Sequence, residues 1–139
     1  MDFELSVCAA GRCVIAALGG ECDTSDAARL RERLLGVVAS HPSRIVVDLS
    51  RLGFLDCAGA RVLARAGRRA RLKGGSLVLA APTAQVSRLI AVTGANRRLA
   101  TYPDVAAALA DLCPGDRPPG PADRVPALPL LPSGLCAAC

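Results

Sequence analysis

A cysteine stands at a point in the sequence where a side chain would be presented to a partner or a ligand. Residues 54–63 read FLDCAGARVL and follow the apolar run RIVVDLSRLG. The pattern predicts that a buried strand ends here, that the chain turns at Asp56–Cys57–Ala58–Gly59, and that a helix begins. A helix start favours the thiolate, which is the reactive form of cysteine. Cys57 is therefore the first candidate for chemistry.

The other cysteines are weaker candidates. Cys8 and Cys13 flank a predicted hairpin turn and could face each other, but without a secretion signal we expect them to stay reduced. Cys22 is interpreted as a small buried hydrophobe. The terminal stretch from Cys136 to Cys139 could be a redox pair, half of a zinc site or a prenylation box. We favour an unstructured end with two incidental thiols.

The sequence lacks the side chains that a catalytic or metal centre needs. His41 is the only histidine, and it precedes Pro42 in a predicted loop. A metal-dependent or nucleophilic enzyme requires a cluster of histidines and acids, which the sequence does not show. We therefore predict a protein that is not an enzyme, binds no metal and uses no cofactor.

Composition and charge restrict the classes of partner. Of the 139 residues, 52% are hydrophobic, which suffices for a core. Only 2% are aromatic, which argues against a surface that stacks on the bases of single-stranded nucleic acid. The net charge of +5 comes almost entirely from arginine, and without base-reading groups it predicts no nucleic-acid partner. No apolar run approaches the ~20 residues of a membrane span, and Asp2 and Glu4 stand where a signal peptide is positive. We expect a cytoplasmic protein with no membrane contact.

Strands and helices alternate along residues 1–112 after an initial hairpin. The hairpin is predicted within residues 3–18, further strands at 44–49, 76–80 and 97–101, and helices at 27–39, 57–73, 82–92 and 103–112. This order predicts an α/β fold with a mixed, mostly parallel sheet of four or five strands and about four helices. Residues 113–139 carry seven of the ten prolines and are predicted to be a disordered tail.

Several blocks of the sequence together resemble the STAS domain, specifically its anti-sigma factor antagonist type. GECD follows the second strand, and DAARL opens the first helix. VVDLSRLGFLDCAG resembles the family pattern apolar-apolar-Asp-Leu-Ser-x-Val-x-Phe-apolar-Asp-Ser-Ser-Gly, and GGSLVLAAPTAQVSRLIAVTG resembles the family's next strand and helix. The resemblance covers residues 3–112 and implies the STAS fold.

Proteins of this type are binding modules, so the resemblance implies a partner switch. The antagonist binds an anti-sigma factor, often a serine kinase, and frees a sigma factor. The kinase inactivates the antagonist by phosphorylating the serine after the aspartate of the Asp-Ser-Ser-Gly turn. Here that serine is replaced by Cys57 and the next one by Ala58, while Asp56 and Gly59 are retained. Since a thiol is not a substrate for serine phosphorylation, the resemblance implies an antagonist without this off-switch.

The expected docking surface combines this turn with charged neighbours. Arg61 and Arg65 lie on one face of the second helix, where they are either solvated or attract an acidic partner. The resemblance adds Asp23, which could also serve only as a helix cap. The predicted partner-binding residues are Asp23, Asp56, Cys57, Ala58, Gly59, Arg61 and Arg65.

Two other functions stay open at this point. Cys57 could be a redox switch, because oxidation would place bulk or charge where the phosphate normally goes. Arg61 would favour its thiolate, and Asp56 would oppose it. The chain could also be a scaffold subunit of a signalling assembly. The oligomeric state is not predicted.

Overall fold

The candidate site is carried by strands and helices that alternate along the chain in the computed structural model. The structure describes residues 3–10, 12–40, 44–97, 99–112 and 135–136. The strands are β1 Glu4–Ala10, β2 Cys13–Cys22, β3 Arg44–Leu55, β4 Ser76–Ala80, β5 Thr101–Tyr102 and β6 Leu135–Cys136. The helices are α1 Ala27–Ser40, α2 Cys57–Leu72, α3 Ala84–Thr93 and α4 Val105–Leu112, with 3₁₀ turns at Thr24–Asp26 and Ala95–Arg97.

The strands form a mixed sheet in the order β5-β4-β3-β2-β1-β6. β1 and β2 pair as an antiparallel hairpin, and the pairs β2–β3, β3–β4 and β4–β5 are all parallel. β6 adds only two residues, which pair in parallel with Val7 and Cys8. The predicted α/β class is confirmed, with an N-terminal hairpin and a mostly parallel sheet.

The sheet separates two hydrophobic clusters because successive side chains of a strand point to opposite faces. Ile45 and Val47 of β3 pack into the larger cluster, beneath α1, α2 and α3. Val46 points to the other face, where it meets Leu109 of α4. All three β3 residues are fully buried, which explains the uninterrupted apolar run in the sequence.

β3 extends six residues further than the predicted end at residue 49. Beyond that point Leu52 and Leu55 are buried, while Phe54 is exposed. The strand continues because β2 runs alongside it to its end, where Glu21 and Cys22 pair with Phe54 and Leu55. The prediction of a shorter strand was wrong because polar residues at its outer edge interrupt the apolar run.

The segment between α3 and α4 also differs from the prediction. An edge strand was expected at residues 97–101, but Arg97 ends a 3₁₀ turn and β5 has only two residues. α4 begins at Val105 and not at Pro103, because the Asp104 carboxylate accepts the Ala107 N–H at 2.7 Å and so caps the helix.

Two arginines of α1 bind backbone carbonyls in β1 and just before it. Arg29 donates to the carbonyl of Phe3 at 3.2 Å, and Arg33 donates to that of Leu5 at 3.1 Å. The Arg29 guanidinium also lies 5.4 Å from the centre of the Phe3 ring. These contacts attach α1 to the first strand of the hairpin.

The predictions for His41, for Cys139 and for the tail over residues 113–134 fall outside the described residues.

Within the part of the chain that the structure describes, no helix has the combination of length and hydropathy that a membrane crossing requires.

Two leucines of α2 provide a test of this packing. We expect Leu63→Ala to lower the free energy of unfolding by about 2–5 kcal/mol, because Leu63 is fully buried and its loss leaves a cavity. Leu72→Ala on the same helix should change it by less than about 0.5 kcal/mol, because Leu72 is 74% exposed. Urea unfolding followed by circular dichroism measures both, and equal effects would contradict the described packing.

Candidate functional site

Asp56 fixes the start of α2. Its backbone is extended, and its carboxylate accepts the backbone N–H of Gly59 at 3.0 Å, which caps the helix. The second carboxylate oxygen accepts the hydroxyl of Thr24, from the 3₁₀ turn that follows β2. The backbone N–H of Asp56 donates to the Cys22 carbonyl at 3.2 Å. One residue thus joins the end of β2, the 3₁₀ turn and the start of α2.

Asp23 is the N-cap of the 3₁₀ turn. Its carboxylate accepts the backbone N–H of Ser25 at 2.9 Å and the Ser25 hydroxyl at 2.7 Å. The Asp26 carboxylate accepts the backbone N–H of Asp23 at 3.2 Å in return, so that a capping box closes the turn. The hydrogen bond from the Ser25 hydroxyl lowers the pKa of Asp23. Asp23 is therefore both exposed and negatively charged.

Cys57 is the first residue of α2, and its side chain is exposed. Ala58 is half-buried and Gly59 is buried, so these two residues contribute mainly the shape of the turn. A Cβ atom at Gly59 would lie 2.5 Å from Cδ1 of Leu55, so the Leu55 side chain would have to shift to admit it. The turn thus presents one side chain, that of Cys57, on tightly packed backbone.

Cys22 lies beneath the turn and is fully buried. Burial raises the pKa of the Cys22 thiol to about 12, and the nearby carboxylates of Asp26 and Asp56 contribute to the rise. Cys22 therefore stays protonated at neutral pH. This agrees with its interpretation as a buried hydrophobe.

Cys8 and Cys13 do not behave as expected. Each is disulfide-bonded in the structure, so the prediction that both remain reduced thiols was wrong. The hairpin register places Cys8 opposite Ile15 and Cys13 opposite Ala10, so the two cysteines are not direct cross-strand partners. Within the described ranges, the free thiols are Cys22 and Cys57, and of these only Cys57 is exposed.

The surface around Cys57 is divided by charge. Asp23, Asp26 and Asp56 lie on the side of the 3₁₀ turn, and α2 contains no acidic residue. Arg61 and Arg65 are exposed on α2, one and two helical turns after Cys57. The structure thus places an acidic side and a basic side next to the same exposed thiol.

Sequence reasoning missed Phe54 as a surface residue. Its side chain is 38% exposed, at the end of β3 and close in sequence to the turn. Leu52 and Leu55 on either side of it are buried. This pattern indicates an exposed Phe54 only when β3 is known to continue to residue 55. The described residues contain no group of three or more His, Cys, Asp or Glu side chains that could hold a metal ion.

Replacing Gly59 tests how tightly the turn is packed. Gly59→Ala should lower the free energy of unfolding by about 1–2 kcal/mol, because overpacking against Leu55 outweighs the gain in helix propensity. Gly36→Ala in α1 is the matched control, since a Cβ there meets nothing within 4 Å. It should raise the free energy of unfolding by about 0.5–1 kcal/mol. If Gly59→Ala raised the free energy of unfolding in urea as Gly36→Ala does, the turn would have spare room.

Comparisons with known proteins agree with this architecture. The family model described as "Mlab, STAS domain" matches residues 5–102. An anti-sigma-F factor antagonist of Mycobacterium tuberculosis, RsfB, is 42% identical over 50 residues, which are 36% of this chain. The match spans 41% of that relative, less than half of its length.

Solved structures show the same fold. An anti-sigma factor antagonist from Mycobacterium paratuberculosis superposes with a TM-score of 0.72 at 26% identity, covering 80% of this chain and 94% of that one. The Bacillus cell fate determinant SpoIIAA, in its phosphorylated form, superposes with a TM-score of 0.55 at 19% identity, covering 72% and 90%. Because the family model spans well over half of the 139 residues, the chain belongs to the STAS domain family.

Proposed function

We propose that this protein is an anti-sigma factor antagonist, which binds an anti-sigma factor and thereby frees a sigma factor. The exposed position of Cys57 at the first residue of α2, in a STAS fold, is the observation that carries the proposal. The names of the mycobacterial relatives support it. The protein acts by binding and not by catalysis.

The proposed docking surface is centred on the turn before α2. Hydrogen bonds from Thr24 and Gly59 hold Asp56 in place, so little conformational entropy is lost when a partner binds. Phe54 supplies exposed apolar area beside the turn. The proposed partner-binding residues are Asp23, Asp56, Cys57, Ala58, Gly59, Arg61 and Arg65.

The proposed partner is an anti-sigma factor of the serine-kinase type. Cys57 would make this antagonist resistant to phosphorylation by that kinase at the start of α2. A phosphate at this position would add about −1.5 to −2 charges and could be accommodated at the start of a helix. It would also stand beside the carboxylates of Asp23 and Asp56 and so change the charge presented to the partner. A thiol gives the kinase no hydroxyl to phosphorylate, so binding should persist in ATP.

A binding titration in ATP tests both parts of the proposal. Wild type and Cys57→Ser are titrated against candidate anti-sigma serine kinases from the same genome, with Cys57→Ala as a control that restores no hydroxyl. We expect wild type and Cys57→Ala to keep their affinity in ATP. Cys57→Ser should be phosphorylated and should lose affinity by tenfold or more.

The outcomes separate the two claims. If no candidate binds any of the three proteins, the antagonist function is refuted. If ATP releases wild type as readily as Cys57→Ser, antagonism survives, but Cys57 is not the reason for kinase insensitivity.

A redox role for Cys57 is the second candidate, supported by its being an exposed free thiol while Cys22 is buried. A hydroperoxide would transfer one oxygen atom to the sulfur, which gives a sulfenic acid and releases water or an alcohol. The product would stand at the position that the family resemblance assigns to the phosphorylated serine.

Thiol labelling distinguishes a reactive Cys57 from an inert one. In the native protein, iodoacetamide should modify Cys57 and spare Cys22, whose pKa of about 12 and burial protect it. A redox switch requires Cys57 to react several-fold faster in the native state than in urea at the same pH. A native rate equal to or below the denatured rate would exclude the redox role.

A further inference from the structure

α2 and the 3₁₀ turn after α3 enclose a cleft that shares only Arg61 with the proposed docking surface. Its volume is about 290 Å³. Small side chains form its floor, from Ala60 and Ala64 of α2 and from Ala95. Arg61, Thr93 and Arg97 supply its polar groups. The cleft is at the small end of the size range for ligand pockets, which is about 300–1,000 Å³.

The charges that line the cleft are all positive. Arg61 and Arg97 are exposed, and neither guanidinium group makes a hydrogen bond or an ion pair with any residue that the structure describes. No acidic side chain is among the lining residues. Two guanidinium groups without a carboxylate between them attract an anion, and guanidinium matches the oxygens of a phosphate in paired hydrogen bonds.

The helix ends at the cleft favour the same charge. Ala60 and Arg61 lie near the start of α2, where the positive end of the helix dipole stabilises an anion. α3 ends at the cleft with its negative end, but the carbonyl of Ile90 already accepts the N–H of Gly94 and, at 3.1 Å, the hydroxyl of Thr93. The repulsion expected from that end is therefore reduced.

We propose that this cleft binds a small phosphate-bearing anion between Arg61 and Arg97. The alanine floor admits the anion without a steric barrier. The volume suits an inorganic phosphate, a pyrophosphate or a small phosphate monoester better than a larger ligand. The proposal does not depend on anti-sigma factor binding.

Titration with three probes tests the site and identifies the source of the phosphate. Amide resonances of the ¹⁵N-labelled protein are followed while sodium phosphate, sodium pyrophosphate or glycerol phosphate replaces sodium chloride at constant ionic strength. We expect saturable shifts that include Ala60, Ala64 and Ala95. Tighter binding of glycerol phosphate than of inorganic phosphate would assign the site to monoesters, and the reverse order would assign it to free phosphate.

Arginine variants show whether the cleft itself is responsible. Arg61→Gln and Arg97→Gln should each weaken binding by about tenfold or more, because each removes charged hydrogen bonds to the anion. Arg31→Gln, an exposed arginine on α1, is the matched control and should leave the affinity unchanged. Unchanged melting temperatures will show that the variants are folded. Shifts that do not saturate, or equal losses in all three variants, would overturn the proposal.

Discussion

The carboxylate of Asp56 holds together the parts of the molecule on which the candidate site depends. One oxygen caps α2 through Gly59, and the other accepts the hydroxyl of Thr24. Because both oxygens are engaged, the start of α2 cannot rotate without breaking a contact to the turn after β2. A charged acceptor at this end of a helix is also favoured by the helix dipole. The position of the Cys57 side chain is a consequence of these contacts.

Local signals in the sequence predicted the elements, and contacts distant in sequence escaped prediction. The start of α2 was predictable because the cap and its N–H donor lie three residues apart, at Asp56 and Gly59. The link from Thr24 to Asp56 joins residues 32 positions apart, and no local pattern encodes it. The length of β3 was missed for a related reason, since its last residues are held by pairing with β2.

The division of charge around Cys57 gives the proposed replacement of a serine at this position a physical meaning. Asp23 and Asp56 already make one side of the turn negative, while Arg61 makes the start of α2 positive. A neutral thiol leaves this pattern unchanged, and a dianionic phosphate would shift the whole patch toward negative charge. Under the proposed function, a partner matched to the unmodified pattern would meet this protein in one charge state only.

The arginines of α1 that bind β1 affect how the sheet can associate. Strand addition requires free backbone carbonyls along an edge, and the guanidinium groups of Arg29 and Arg33 already occupy those of Phe3 and Leu5. An incoming strand would have to displace two charged hydrogen bonds and the contact of Arg29 with the Phe3 ring. Pairing of a further strand with residues 3–5, which β6 does not cover, is thereby disfavoured.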